Sequence, residues 1–257
     1  MLKKLLAVLI IISTTQAFAA SISLLKGNGF RDDLGYRHDK TTLTIENFAV
    51  WEYGTVFFYY DITEPSTKEA GPNFSNQFFG GISPTFSLSK MTGKDWSWKF
   101  IRDVSIRLEL ENGSGNGNFN FQTYFYGLQL DLAVPGFDFV SFNTVLRDDP
   151  SVPGMGIQIG TFWQASWDFG RWNRYKFTGF IATSPWDGNQ NSEKNPFFAK
   201  NGRFLSSSPQ FLYDLGYGLW GKQDRFEVGL EWAYYINRFQ QKNKDESVLQ
   251  YMTKISF

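Results

Sequence analysis

The chain has 257 residues, no cysteine and a formal net charge of zero, which excludes a disulfide framework, thiol chemistry and an electrostatic partnership with nucleic acid. Aromatics are heavy, with 27 Phe, 12 Tyr and 9 Trp, yet mean hydropathy is −0.31, so the apolar side chains are dispersed rather than gathered into helical membrane spans. A transmembrane β-barrel has this composition, because its apolar lipid face and polar lumen cancel in any average.

The N-terminus reads as an export signal. Met1-Leu2-Lys3-Lys4 is basic, residues 5–12 are apolar, and Ala17-Phe18-Ala19 supplies the small residues a processing enzyme needs. The apolar run is too short for a spanning helix, which takes about 20 residues. Residues 1–19 are therefore expected to be removed, leaving 20–257 as the barrel. Loss of Lys3 and Lys4 takes the 25 basic residues to 23 against 25 acidic ones.

Period-two alternation predicts twelve strands. The first covers 21–28, with Ile22 and Leu24 opposing Ser21 and Ser23. Residues 30–40 read as a charged connection holding His38, the only histidine. The second (41–51) and third (54–61) flank a short turn near Tyr53. Glu46 and Phe48 share one face of the second, and Phe57, Tyr59 and Asp61 share one face of the third. Residues 64–80 form a long polar loop. The fourth strand (81–90) contains Pro84, which predicts a bulge or a rim position, since proline cannot donate to the ladder.

The fifth strand (104–111) alternates most cleanly: Val104, Ile106, Leu108 and Leu110 oppose Ser105, Arg107, Glu109 and Glu111. Those charges must line water, because a charge at the bilayer midplane costs about 2–4 kcal/mol. Further strands are expected at 119–133, 137–146, 155–169, 175–183, 208–220, 225–238 and 248–257. In the last of these, Leu249, Tyr251, Ile255 and Phe257 oppose Gln250, Met252, Lys254 and Ser256. A terminal aromatic suits the closing strand of an outer-membrane barrel, whose interfacial girdle accepts the ring.

Twelve is even, which places both chain ends on one side. Connections near Tyr53, Lys94, Gly136, Arg171 and Asp224 are compact. Those near Glu64, Asn112, Asp148, Asn189 and Lys242 are longer. Trp51, Trp96, Trp98, Trp163, Trp167, Trp172, Trp220 and Trp232 gather near strand ends, as girdles should. By parity the lumen holds Glu46, Phe48, Asp61, Arg107, Glu109, Phe125, Asp131, Lys176, Phe180, Asp214, Glu227, Glu231, Tyr235 and Lys254.

The stretch TTLTIENFAVWEYGTVFFYYDITEP (41–65), followed by FFGGISPTFSLSKMTGKD (78–95), resembles the Tsx-type nucleoside-specific channels of Gram-negative outer membranes. The resemblance implies an all-β transmembrane barrel in the bacterial outer membrane, a monomer without cofactor or metal. It also implies a narrow pore that passes nucleosides by weak successive binding. The expected binding track is Phe30, Arg31, Glu46, Phe48, Tyr59, Asp61, Arg107 and Glu109. The chemistry of the residues suits such solutes. Aromatic faces stack a base for about 1–3 kcal/mol without reading its identity, and carboxylates and arginine pair with sugar hydroxyls. Two alternatives remain at this point: a lipid-modifying barrel enzyme, which would need a nucleophile with a base such as histidine, and a structural barrel plugged by salt bridges.

Overall fold

The computed structural model describes residues 18–31, 37–65, 77–114, 120–150, 154–187, 203–240 and 242–257. Along β1 (Phe18–Arg31), Ser23 is 0% exposed while its neighbour Leu24 is 50% exposed. The same inversion runs around the wall. Ser83, Thr85, Ser105, Thr123, Ser141 and Asn143 are buried, whereas Ile22, Ile45, Ile82, Ile106, Leu128 and Leu249 are exposed. A protein dissolved in water does the opposite. An apolar outside and a polar inside is the pattern of a sheet closed within lipid.

The remaining strands are β2 (Arg37–Trp51), β3 (Gly54–Pro65), β4 (Gln77–Ser87), β5 (Ile101–Ser114), β6 (Asn120–Leu132), β7 (Phe139–Asp148) and β8 (Met155–Asp168). They continue with β9 (Arg174–Asp187), β10 (Phe204–Ser207), β11 (Gln210–Asp214), β12 (Phe226–Ile236) and β13 (Glu246–Ser256). Each pairs antiparallel with its neighbours, and β13 closes on β1 from Ser21↔Ser256 to Gly27↔Gln250. β10 and β11 both lie between β9 and β12, so they are two halves of one stave. The result is a closed barrel of twelve staves. It leaves no sheet edge and satisfies the backbone internally.

The break at Ser208-Pro209 has a local cause. Proline removes one donor, but Ser208 N still donates to Phe180 O at 3.1 Å and Trp232 N to Pro209 O at 2.9 Å. Opposite the break stands Gly179 with φ +150°, where a Cβ would lie 2.6 Å from Ser208 O. Only glycine lets the two backbones approach that closely. Pro84 lies near the rim, opposite Val56, with no shift of register. It is therefore a rim proline and not a bulge.

Several boundaries differ from the sequence expectation. The fourth and tenth predicted strands end early, in helices α1 (Leu88–Thr92) and α2 (Leu215–Trp220). Alternation cannot see caps. Asp214 accepts from Tyr217 N at 2.9 Å to start α2, and Gly221 at φ +70° ends it; Ser87 and Gly93 do the same for α1. Gly218 in α2 is needed for space, because the ring of Trp172 would meet a Cβ at 2.3 Å. Strands β1 and β2 extend into the expected charged connection. His38 consequently sits buried on β2, paired opposite Phe30, and not in a solvated loop. The remainder of that connection, residues 32–36, lies outside the described residues. So do most of the expected long loops and residues 1–17 of the expected signal segment.

Both ends of the described chain lie at one rim, where Phe257 N donates to Ala20 O at 2.9 Å. The compact connections, α1 and α2 are at this rim. Exposed Trp96, Trp98, Trp172 and Trp220 decorate it, as an interfacial girdle would. Trp163 and Trp232 are instead on the outer wall within β8 and β12.

An ion cluster braces this rim. Arg174 contacts Asp168, Asp214 and Asp224 at 3.4, 3.3 and 3.0 Å, and Lys176 contacts Asp224 and Glu227 at 3.0 and 2.8 Å. At Asp224, in the turn before β12, partial burial works to raise the carboxyl's pKa, but Lys176 and Arg174 outweigh it and hold the group below its ordinary 3.8. A depressed folded pKa means that this contribution to stability is present above the unfolded value and is lost as pH falls through the folded one. Barrel stability is therefore expected to hold from neutral pH to about 4 at this site and to fall only below it. An Asp224→Asn variant should show a shallower acid limb. Urea titrations at pH 7, 4 and 3 measure this, and identical acid limbs would sink the assignment.

Candidate functional site

The lumen is built by the odd-numbered residues of β3, β4, β5 and β7 and the even-numbered ones of β2 and β8, as the registers require. Glu46 pairs across from Tyr59 and Thr44 from Asp61, so these polar side chains share one sector of wall. Thr44 Oγ1 donates to Asp61 Oδ1 at 2.6 Å. Tyr59 OH donates to Glu111 Oε1 at 3.0 Å. Glu46 accepts from Ser21 Oγ at 2.9 Å and is ion-paired with Lys254 of the closing strand. That pair links residues 208 positions apart and ties β2 across β1 to β13.

Arg107 dominates the neighbouring sector, which begins at β5. Its guanidinium donates to Glu109 Oε2 at 2.7 Å, Gln129 Oε1 at 2.9 Å and Ser83 Oγ at 3.1 Å. Its Cζ lies 5.0 Å from the ring centroid of Phe162 on β8, three staves away. The arginine therefore reaches along the lumenal wall, over β6 and β7, and covers the residues behind it. Phe125 and Val145 are each 2% exposed there, and Thr123 and Asn143 are buried with them. Phe162 stands against Phe180 with centroids 6.0 Å apart, and Phe57 stacks on Tyr59 at 5.8 Å. Two aromatic platforms thus line the lumen, and Arg107 stands against one of them.

The structure brings together Glu46, Tyr59, Asp61, Arg107 and Glu109 on the lumenal face. Phe48 has the same parity, opposite Phe57 near the terminus-bearing rim, and stays exposed. Phe30 is also turned inward, packed with Ala233 and Val248 and under Lys40 Nζ at 4.9 Å. Arg31 is not on this track. The bulge between Gly27 and Phe30, with Gly29 at φ +89°, resets the register, so Phe30 is buried and Arg31 exposed on the other side. Arg31 reaches the cluster only through its backbone N, which donates to Glu246 Oε1 at 3.0 Å. Phe162, Gln210 and Gln250 belong to the lumen and were missing from the expected set. Strict parity on the eighth and closing strands identifies Phe162 and Gln250; Gln210 falls beside the Pro209 break, which parity alone does not resolve.

No family model matches the chain, and no curated protein matches it. Among solved structures, the chain is similar to the NanC porin at 8% identity and a TM-score of 0.48, over 93% of this chain and 99% of that one. It is similar to the KdgM porin at 8% identity and a TM-score of 0.47, over the same shares of each chain. The translocator domain of autotransporter NalP from Neisseria meningitidis gives 10% identity and a TM-score of 0.38, over 99% of this chain and 93% of that one. Similarity at this level carries no solute across, and the functional reading rests on the lumen itself.

Proposed function

We propose that this barrel is a bacterial outer-membrane channel for small ring-bearing polar solutes, nucleosides among them. The observation that carries the reading is the lumenal pairing of aromatic platforms with polar and charged groups: Phe57–Tyr59 and Phe162–Phe180 beside Glu46, Asp61 and Arg107. A planar base stacks on such platforms while its sugar hydroxyls bond to carboxylate and guanidinium. No single contact is strong, which suits a site that must release what it selects. The resemblance of residues 41–95 to Tsx-type channels supports the same class. Export, removal of residues 1–19 and a periplasmic position for the terminus-bearing rim belong to this proposal; an intact mass starting at Ala20 is its simplest check. So does action as a monomer, without cofactor and without catalysis.

The reach of Arg107 over the lumenal wall to Phe162, with its ion pair to Glu109, favours a second reading, a barrel closed by its own ion pairs. Single-channel recording of refolded protein in a planar bilayer separates the two. The channel reading expects small steps that adenosine or thymidine blocks and glucose does not. Steps indifferent to all three would retire nucleosides, and silence would favour the closed barrel.

A further inference from the structure

One sector of the lumen is rich in acceptors and short of cations. Glu231 on β12 accepts from Gln210 Nε2 at 2.7 Å and from Gln250 Nε2 at 2.8 Å, one amide on each carboxylate oxygen. These bonds fix the orientation of the Gln250 amide, because only its NH2 end can donate to a carboxylate. Gln250 Oε1 is then left without a hydrogen-bond donor, in a residue only 5% exposed. Ser23 Oγ, buried on the adjoining β1, is likewise unpartnered. Asp61 accepts from Thr44 and has no ion pair among the described residues, and neither has Glu231. Glu231 is within electrostatic range of Asp61 and Glu46.

The nearby cations are engaged elsewhere, Lys40 over the ring of Phe30. Lys254 is paired with Glu46, and Lys176 with Asp224 and Glu227. Arg238, the positive charge that Asp61 senses, binds Glu246 at 2.5 Å and lies 4.8 Å from the ring centroid of Tyr235. A buried acceptor without a donor is costly unless something supplies the hydrogen. Two carboxylates without a counter-ion and an amide oxygen without a donor ask for the same missing group, a small cationic donor.

We infer that Asp61, Glu231 and Gln250 Oε1 form a subsite for an alkylammonium group, so that the ligands held most tightly are amino-bearing ring solutes. The ammonium donates to the two carboxylates and the amide oxygen. The ring lies along the Phe57–Tyr59 or Phe162–Phe180 platform. This rests on the reading of the lumen as a binding track and narrows its chemistry from polar ring solutes to cationic ones.

Calorimetric titration of the refolded barrel in detergent tests it without requiring conduction. Tyramine and N-acetyltyramine share a ring and differ in the charge of the amine. Tyramine is expected to bind about tenfold tighter, the worth of one additional charge-assisted interaction. Its advantage should shrink in 1 M salt, where screening acts over about 3 Å. Asp61→Asn and Glu231→Gln should each reduce the difference, with heat-modified gel mobility reporting that the variant is folded. Equal binding of the two amines, a preference for the acetylated one, or no heat from either overturns the subsite; should neither variant fold, the wild-type comparison at two salt concentrations decides alone. Nucleoside block of conductance reads the broader proposal separately, so either can fail while the other stands.

Discussion

Arg107→Ala is expected to enlarge single-channel conductance while lowering folded stability by about 3 kcal/mol. Both effects come from one side chain. The guanidinium stands in the lumen against Phe162, so its removal opens cross-section that it now fills. It is also the only ion-pair partner found for Glu109 among the described residues, at 2.7 Å, with the two side chains 7% and 9% exposed. Truncation leaves a buried carboxylate unpaired and strips donors from Gln129 Oε1 and Ser83 Oγ. Adding Glu109→Gln to Arg107→Ala should recover part of the stability while retaining the larger conductance, because the orphaned charge is gone and the space remains. Urea unfolding from lipid vesicles and bilayer recording measure the two properties independently. Unchanged conductance in Arg107→Ala would remove the arginine from the solute path.

Leu108→Arg should be among the most damaging single substitutions on the outer wall, although the residue touches no functional group. Leu108 lies near the middle of β5, pairs with Tyr126 and is 41% exposed, in a belt with Ile106, Leu128 and Ile82. Its exposure is to hydrocarbon. An arginine at midplane depth costs about 2–4 kcal/mol, falling to about 0–1 near the interface. Arg107, one residue earlier, carries the same side chain on the opposite face and is satisfied there by four partners, three through hydrogen bonds and Phe162 through its ring. The contrast between positions 107 and 108 therefore tests the orientation of the whole strand. Refolding yield into vesicles, scored by heat-modified mobility, should fall sharply for Leu108→Arg and little for Leu108→Ala. Normal assembly of Leu108→Arg would contradict the placement of this face in lipid.

Much of this architecture is legible in the amino-acid order. Strand number, antiparallel order and the division of each strand into two faces follow from alternation, because a wall between lipid and water imposes a period of two on every stave. The charges of Arg107, Glu109 and Glu111 could face only water. Glu46, Tyr59 and Asp61 could share a sector because the turn at Tyr53 sets the register of β2 against β3. Local chemistry that breaks the period is harder to see. Residues 215–220 alternate acceptably as a strand, but Asp214 and Gly221 cap them as a helix. The bulge at Gly29 reverses Phe30 and Arg31, so parity carried through it misplaces both.

What the sequence determined by itself is thus the wall: which residues form staves, and which face of each meets hydrocarbon. The tertiary structure decided what meets across the lumen. Lys254 with Glu46, Arg107 with Phe162, and Glu231 between Gln210 and Gln250 depend on how the sheet staggers and closes. Closure links strand number, tilt and stagger for the entire barrel at once, so no local pattern encodes it. Side chains from distant staves become neighbours only when the last strand pairs with the first.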